Sequence, residues 1–308
     1  MSSESFGYRL ADVFARRPYE GNGVAVFVDP PRLSAASLQA ITVEVRQFES
    51  AFLWSTSDSM VYETRIFVVD QELEFAGHPV LGAAAVLHER RLKAVQAIPG
   101  RSAQHSPELA WTLRLGEREV SVTSQPDGIG DFDVSMDQGQ PQFGDPMPQP
   151  YRDRVARALS LTPQDLDDHL PMQWVSTGLR YLMVPVRGQA LARARIAVAN
   201  FAALLAEAGA QLAYVLDPHA KEGRNWVNDG GVEDIATGSA SGPAAAYLVR
   251  HRRVEPVGPV ELAQGRFVGR PSVMRVDVTG SPEDIRRVTL NGHVCLTGTG
   301  SLDRRPDL

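Results

Sequence analysis

The chain has a single cysteine, Cys295, in 308 residues. One thiol excludes an internal disulfide framework, and along the chain no His/Cys cluster has the spacing of a zinc site, so no metal is expected. Dense runs of Lys or Arg are also absent, and the formal net charge is −6. With no basic stripe or tail, the composition argues against nucleic acid or an acidic membrane surface as a partner. No stretch approaches the apolar length of a membrane span. Ser2, Ser3, Glu4 and Ser5 stand where a signal peptide would be basic and then apolar, so a cytoplasmic protein with a small-molecule ligand or a protein partner is expected. The glycines follow neither the dinucleotide nor the P-loop spacing, and no Lys follows them.

What the chain does have is a pair of matching segments. Glu233-Asp234-Ile235-Ala236-Thr237-Gly238-Ser239-Ala240-Ser241-Gly242-Pro243 runs into the alanine-rich stretch from Ala244 to Leu248. Acids, hydroxyls and glycines directly before a helical run leave free N–H groups and a positive dipole end, a place to hold an anion. Plain capping by Ser or Thr is the other reading. The earlier stretch from Ala76 to Leu87 matches Thr237 to Leu248 at a constant offset of 161 positions, with Gly77 against Gly238 and His78 against Ser239. Each half therefore carries one glycine-opened apolar helix, and Pro79 suits the first helical position.

Alternation and turn signals place strands at 8–14, 24–28, 51–54 and 61–69, with a return through 73–75. A polar loop follows near 99–107, then a hairpin of 110–115 with 118–123 around Gly116. A helix capped by Ser34 or Ser37 runs to about Arg46, with Leu38, Ile41 and Val45 on its apolar face. Glu49 thus falls at a helix-to-strand junction, where a side chain is easily aimed at a cleft. The stretch 126–150, rich in Gly, Pro, Asp and Gln, reads as the crossing between halves. The order then repeats: a strand at 182–186, a helix at 198–208, strands at 212–216 and 224–228, the Gly238-opened helix, and strands at 260–263, 272–278 and 288–296. This is an α+β architecture of two pseudo-symmetric domains, 1–126 and 127–286, with the C-terminal strand at about 287–308 a candidate to complete the first.

Six motifs in order carry a family resemblance. They are Asp12-Val13-Phe14, the turn and strand from Gly21 to Phe27, Glu49-Ser50-Ala51-Phe52, Phe75-Ala76-Gly77-His78-Pro79, Glu233-Asp234 with Ala236 to Ala240, and Gln264-Gly265 with Gly269 to Ser272. Together with Ser135-Met136-Asp137-Gln138, they make the chain resemble the phenazine-biosynthesis PhzF family of isomerases from about residue 8 to 300. The resemblance implies the diaminopimelate-epimerase fold: two domains, each a curled, largely antiparallel sheet around a central helix, with the active site in the cleft between them. It implies a cofactor-free isomerase, a homodimer, acting on a small substrate with a carboxylate, of the trans-2,3-dihydro-3-hydroxyanthranilate type.

The same resemblance places the proton carrier at Glu49. A carboxyl group enclosed between apolar domains loses solvation and gains a raised pKa, so that it accepts and donates a proton near neutrality; a solvated helix-end residue is the plain alternative. His78 is implied as a hydrogen-bond donor or proton carrier. Asp234 is implied as an anchor for a substrate amine or hydroxyl, or as the group that orients His78, against the simpler reading of an Asx turn. Gly77, Gly238 and Ser239 are implied to hold the carboxylate. Gly265 to Ser272 reads as a loop whose turns need glycine and proline.

Epimerases of this fold use two cysteines at the starts of the central helices, where this chain has Ala76 and Thr237. A two-thiol epimerase is therefore disfavoured, and a non-catalytic binding protein is the remaining alternative. Phe67-Val68-Val69 and Trp226-Val227-Asn228 depart from the family pattern at matching places in the two halves, and Phe48 stands where a small polar residue is common. These changes imply a reshaped, less polar pocket and another conjugated amino acid as an alternative substrate.

Overall fold

In the computed structural model, residues 5–97, 107–255 and 257–306 are described; the polar N-terminal positions 2–4 and most of the loop near 99–107 lie outside them. The chain separates into two compact units, Met1–Met136 with Asn291–Leu308, and Asp137–Leu290. Among the described residues no helix is long and apolar enough to cross a membrane.

The first unit contains β1 (Phe6–Val13), β2 (Asn22–Val28), α1 (Ala35–Val45), β3 (Glu49–Ser55), β4 (Val61–Val68), β5 (Glu72–Leu73), α2 (Gly77–Gln96), β6 (Leu109–Leu115), β7 (Arg118–Pro126) and, up to Met136, β8 (Asp131–Gly139). The last strand of the chain, β16 (Ile285–Leu302), returns to it. Strands pair in the order β1-β2-β3-β4-β6-β7-β8-β16, and β16 also pairs β1, so the sheet closes on itself. Pairs β2–β3 and β4–β6 are parallel and their neighbours antiparallel. Helix α2 packs against β1, β2, β3, β6 and β7, and every residue from Gly77 to His88 is buried.

At Gly82 only the absence of a side chain allows that fit. A Cβ at Gly82 would lie 2.6 Å from Val24 Cγ1 and 3.3 Å from Val13 Cγ2, so the helix backbone rides directly on the sheet. On the opposite side of β2 a second cluster, Phe6, Phe27, Leu38, Ile41, Phe52, Trp54 and Phe67, packs α1 onto the sheet, with Phe27 stacked on Phe52 at 4.6 Å.

The second unit repeats this order. It holds β9 (Gln142–Phe143), α3 (Gln149–Ala158), β10 (Gln173–Ser176), β11 (Arg180–Pro185), α4 (Ala190–Arg193), α5 (Phe201–Glu207), β12 (Leu212–Asp217), β13 (Glu222–Arg224), α6 (Gly238–Arg250), β14 (Val260–Gln264) and β15 (Ser272–Gly280). Pairs β11–β12 and β13–β14 are parallel, as β2–β3 and β4–β6 are in the first unit. Helix α6 packs on β10, β11, β12, β14 and β15.

Two expectations are corrected here. The segment 126–150 is no bare crossing: it contains the nine-residue strand β8, whose Phe132, Val134 and Met136 point inward, followed by β9 and the start of α3. Pro79 is the third residue of α2, behind Gly77 and His78. Its missing N–H is still harmless, because the first four amides of a helix have no partner within it.

Candidate active site

In the first unit, α1 ends at Arg46 in the left-handed region (φ 54°), and three residues later the chain enters β3 at Glu49. The strand register sets Glu49 beside Val24 of β2 and Val68 of β4. The departure Val68-Val69 thus falls directly alongside the glutamate. Glu49 is 6% exposed and His78, the second residue of α2, 5%. His78 Nδ1 lies 3.7 Å from Glu49 Oε2 and 3.4 Å from the Asn22 amide nitrogen.

That geometry resembles an ion pair, but the charge state says otherwise. Burial pushes the imidazole down to about 3, outweighing a hydrogen bond with the Gly23 backbone that acts in the opposite sense. His78 is therefore neutral at physiological pH, and its contact with Glu49 is that of a polar neighbour. Among the described residues His78 Nε2 is buried without a hydrogen-bond partner. An Asn22 amide N–H donating to Nδ1 uses the lone pair of that nitrogen and leaves the proton of the neutral ring on Nε2. A buried, unpaired nitrogen is costly unless something else bonds it.

In the second unit, the loop before α6 is held by side chains from distant strands. Thr237 Oγ1 donates to Asp234 Oδ2 at 2.7 Å and Ala236 N–H donates to Asp234 Oδ1 at 3.3 Å. This is the Asx turn that sequence offered as the plain reading of Asp234. Gln264 Nε2 donates to the Asp234 carbonyl at 2.9 Å and to Thr237 Oγ1 at 3.0 Å, while its Oε1 accepts from Thr237 N–H and from Tyr214. Gly265, at φ 86°, lies so close that a Cβ would meet Arg270 O at 2.2 Å and Ile235 O at 2.6 Å. Glu233 accepts from Nε and Nη2 along one edge of the Arg224 guanidinium, at 2.8 and 2.6 Å. That guanidinium is itself stacked between Trp226 and Phe267.

Capping by hydroxyls is overturned by these bonds. Neither α2 nor α6 has a side-chain cap among the described residues: the Thr237 hydroxyl is turned to Asp234, and the Ser239 hydroxyl shares a 2.7 Å hydrogen bond with Tyr181. The leading amides at Gly77 and Gly238 are left without a side chain of their own across them. Of the residues singled out from sequence, Glu49 and His78 meet in one unit; Asp234, Gly238 and Ser239 lie along one loop and helix start in the other. Asn22, Tyr181, Tyr214, Arg224 and Gln264 have no assigned roles in the sequence reading, because their contacts tie strands to helix starts, loops or other strands outside any local pattern. Only the Gly21-Asn22-Gly23 and Gln264-Gly265 motifs hinted at two of them.

Ala76 and Thr237, where a two-thiol epimerase would carry cysteines, are the residues flanking the two helix starts. Cys295 lies elsewhere, buried in β16, and its thiol is pushed up to about 12 by burial and by a hydrogen bond with Asp131. It supplies no thiolate base at neutral pH.

Two topologically matched units, each built on one central helix, with a buried acid in the first and no thiol pair, make an α+β, epimerase-like fold. The chain belongs to the phenazine biosynthesis-like family, whose model matches residues 11–300. It is 32% identical over 306 residues to a trans-2,3-dihydro-3-hydroxyanthranilate isomerase of Pseudomonas fluorescens, covering 96% of this chain and 98% of that protein. It is 30% identical to an uncharacterized isomerase, YddE, of Escherichia coli O157:H7, covering 91% and 93%. A solved structure described as a predicted epimerase from Pseudomonas aeruginosa matches with a TM-score of 0.85 and 43% identity, covering 96% of this chain and 99% of that one. The protein is an isomerase with an α+β, epimerase-like fold.

Proposed function

We propose that this isomerase moves a proton within a small unsaturated cyclic amino acid, and that trans-2,3-dihydro-3-hydroxyanthranilate is the substrate to test first. The observation that carries the reading is the buried Glu49 carboxyl group beside a neutral His78 with an unpaired Nε2. In this reading Glu49 takes a proton from an activated carbon, the electron pair moves along the conjugated system, and the same carboxyl returns the proton at its far end. One C–H bond breaks and another forms, so no cofactor enters the balance. His78 donates a hydrogen bond from Nε2 to a polar atom of the substrate. Asp234 takes the amine, and Gly77, Gly238 and Ser239 the carboxylate, on the chemistry of their own helix starts.

A second reading, a different conjugated amino acid with the same proton shift, is favoured by Val68. An apolar side chain in direct register with Glu49 changes what the carboxyl group's neighbourhood accepts without touching the shuttle.

The test is incubation of the purified protein with trans-2,3-dihydro-3-hydroxyanthranilate in deuterated water, followed by absorbance and proton NMR. Conversion with the proton returned internally supports the reading; binding with no conversion and no exchange removes it. Glu49→Gln keeps shape but not titration, so turnover should fall at least about a hundredfold, the low end for general acid–base catalysis, with binding retained. Near-native turnover in that variant would sink the assignment.

A further inference from the structure

Sequence spacing shows no metal site, yet the strands of the first unit bring one set of donors together. Strand β16 runs between β1 and β8. On one side Cys295 is paired with Asp12 of β1. On the other, Asp131, His293 and Cys295 hold their ligand atoms within 4.8 Å of one another. His293 Nδ1 is also 3.2 Å from Asp133 and 3.6 Å from Asp127, and the next pair along the two strands is Ser135 with Asn291 at 2.6 Å. A polar ladder thus crosses the face of β8 opposite its inward-pointing Phe132, Val134 and Met136.

The donors sit on fixed backbone. The β7–β8 turn, Asp127-Gly128-Ile129-Gly130-Asp131, is closed by the Asp127 N–H donating to the Asp131 carbonyl at 2.9 Å, and Gly130 O accepts from Leu296 N–H at 2.8 Å. Both glycines have positive φ, 131° and 80°.

We infer that Asp131, His293 and Cys295 form a three-ligand site for a divalent transition metal of the zinc class, with Asp133 beside His293 on the outer side. Thiolate, imidazole and carboxylate together match that class and not calcium or magnesium, which take oxygen donors alone. Bonds of about 2.0–2.3 Å require donors about 3.3–3.8 Å apart in a tetrahedron, so closure asks for side-chain shifts on the order of 1 Å. Binding displaces the proton of the Cys295 thiol and involves no redox step. The site is separate from the Glu49 and His78 pair and independent of the proposed proton shift.

The experiment uses the full chain, stripped with chelator and titrated with Co²⁺ alone. One equivalent should bind with a near-ultraviolet thiolate-to-cobalt charge-transfer band, which one equivalent of Zn²⁺ abolishes. Cys295→Ser should lose the band. His293→Gln, at a partly exposed position, should weaken binding at least tenfold with the cysteine intact, which separates loss of a ligand from loss of folding. No band in the native protein, or binding unchanged in His293→Gln, overturns the inference.

Discussion

His78 and Glu49 meet because a helix and a strand begin at neighbouring points of one sheet, and burial then decides what each can do. A histidine held neutral by its surroundings leaves a signature in stability. Its folded pKa, about 3, lies below the ordinary value near 6.5, so the unfolded chain binds the extra proton between those limits. The contribution is fully present above about pH 6.5 and is lost as pH falls towards 3, at up to about 1.4 kcal/mol per pH unit. Urea unfolding at pH 4, 5, 6 and 7 should show this slope in the native protein and a shallower one in His78→Gln. Equal slopes would mean that the ring is already charged in the fold. The same neutrality predicts that no limb of the activity profile between pH 5 and 8 belongs to His78, which an unshifted profile in a His78→Asn variant with residual turnover would bear out.

At the scale of elements, the central helices were the most legible feature of the sequence, since an alanine-rich helix opened by glycine has few places to go except inside a sheet. Gly82 shows how strict that is. In an open helix Gly→Ala gains roughly 1 kcal/mol, whereas Gly82→Ala drives a methyl group towards Val24 and Val13 and should lose about 1–3 kcal/mol by overpacking. The shift in denaturation midpoint reads the sign directly. Strand β8 was concealed by its composition: Asp131, Asp133 and Ser135 look like loop residues until they are seen to alternate with Phe132, Val134 and Met136. Helix α3 was hidden by the prolines before it, although Tyr151, Val155, Ala156 and Ala158 form its buried face. Glu49, His78 and Asp234 could be named from motifs. Gln264 and Tyr181 could not be given roles, because a hydrogen bond from a strand to a helix start 27 or 58 positions away leaves no local pattern.

For the whole molecule the decisive strand is β16. It supplies buried Val294 and Cys295 to the first unit and pairs with both β1 and β8. A chain ending at Leu290 leaves both of those strands with an unpaired edge, a template for aggregation. We expect such a truncation to lose hydrogen-exchange protection throughout β1 and β8 and to precipitate; full protection there would mean that the sheet does not depend on closure. During synthesis the ribosome makes that truncated chain every time. At about 5–20 residues per second, β1 to β8 wait roughly ten to thirty seconds for their closing strand while the second unit is being made. The unit translated first is therefore the one completed last, and its nascent edges are where a chaperone would have to stand guard.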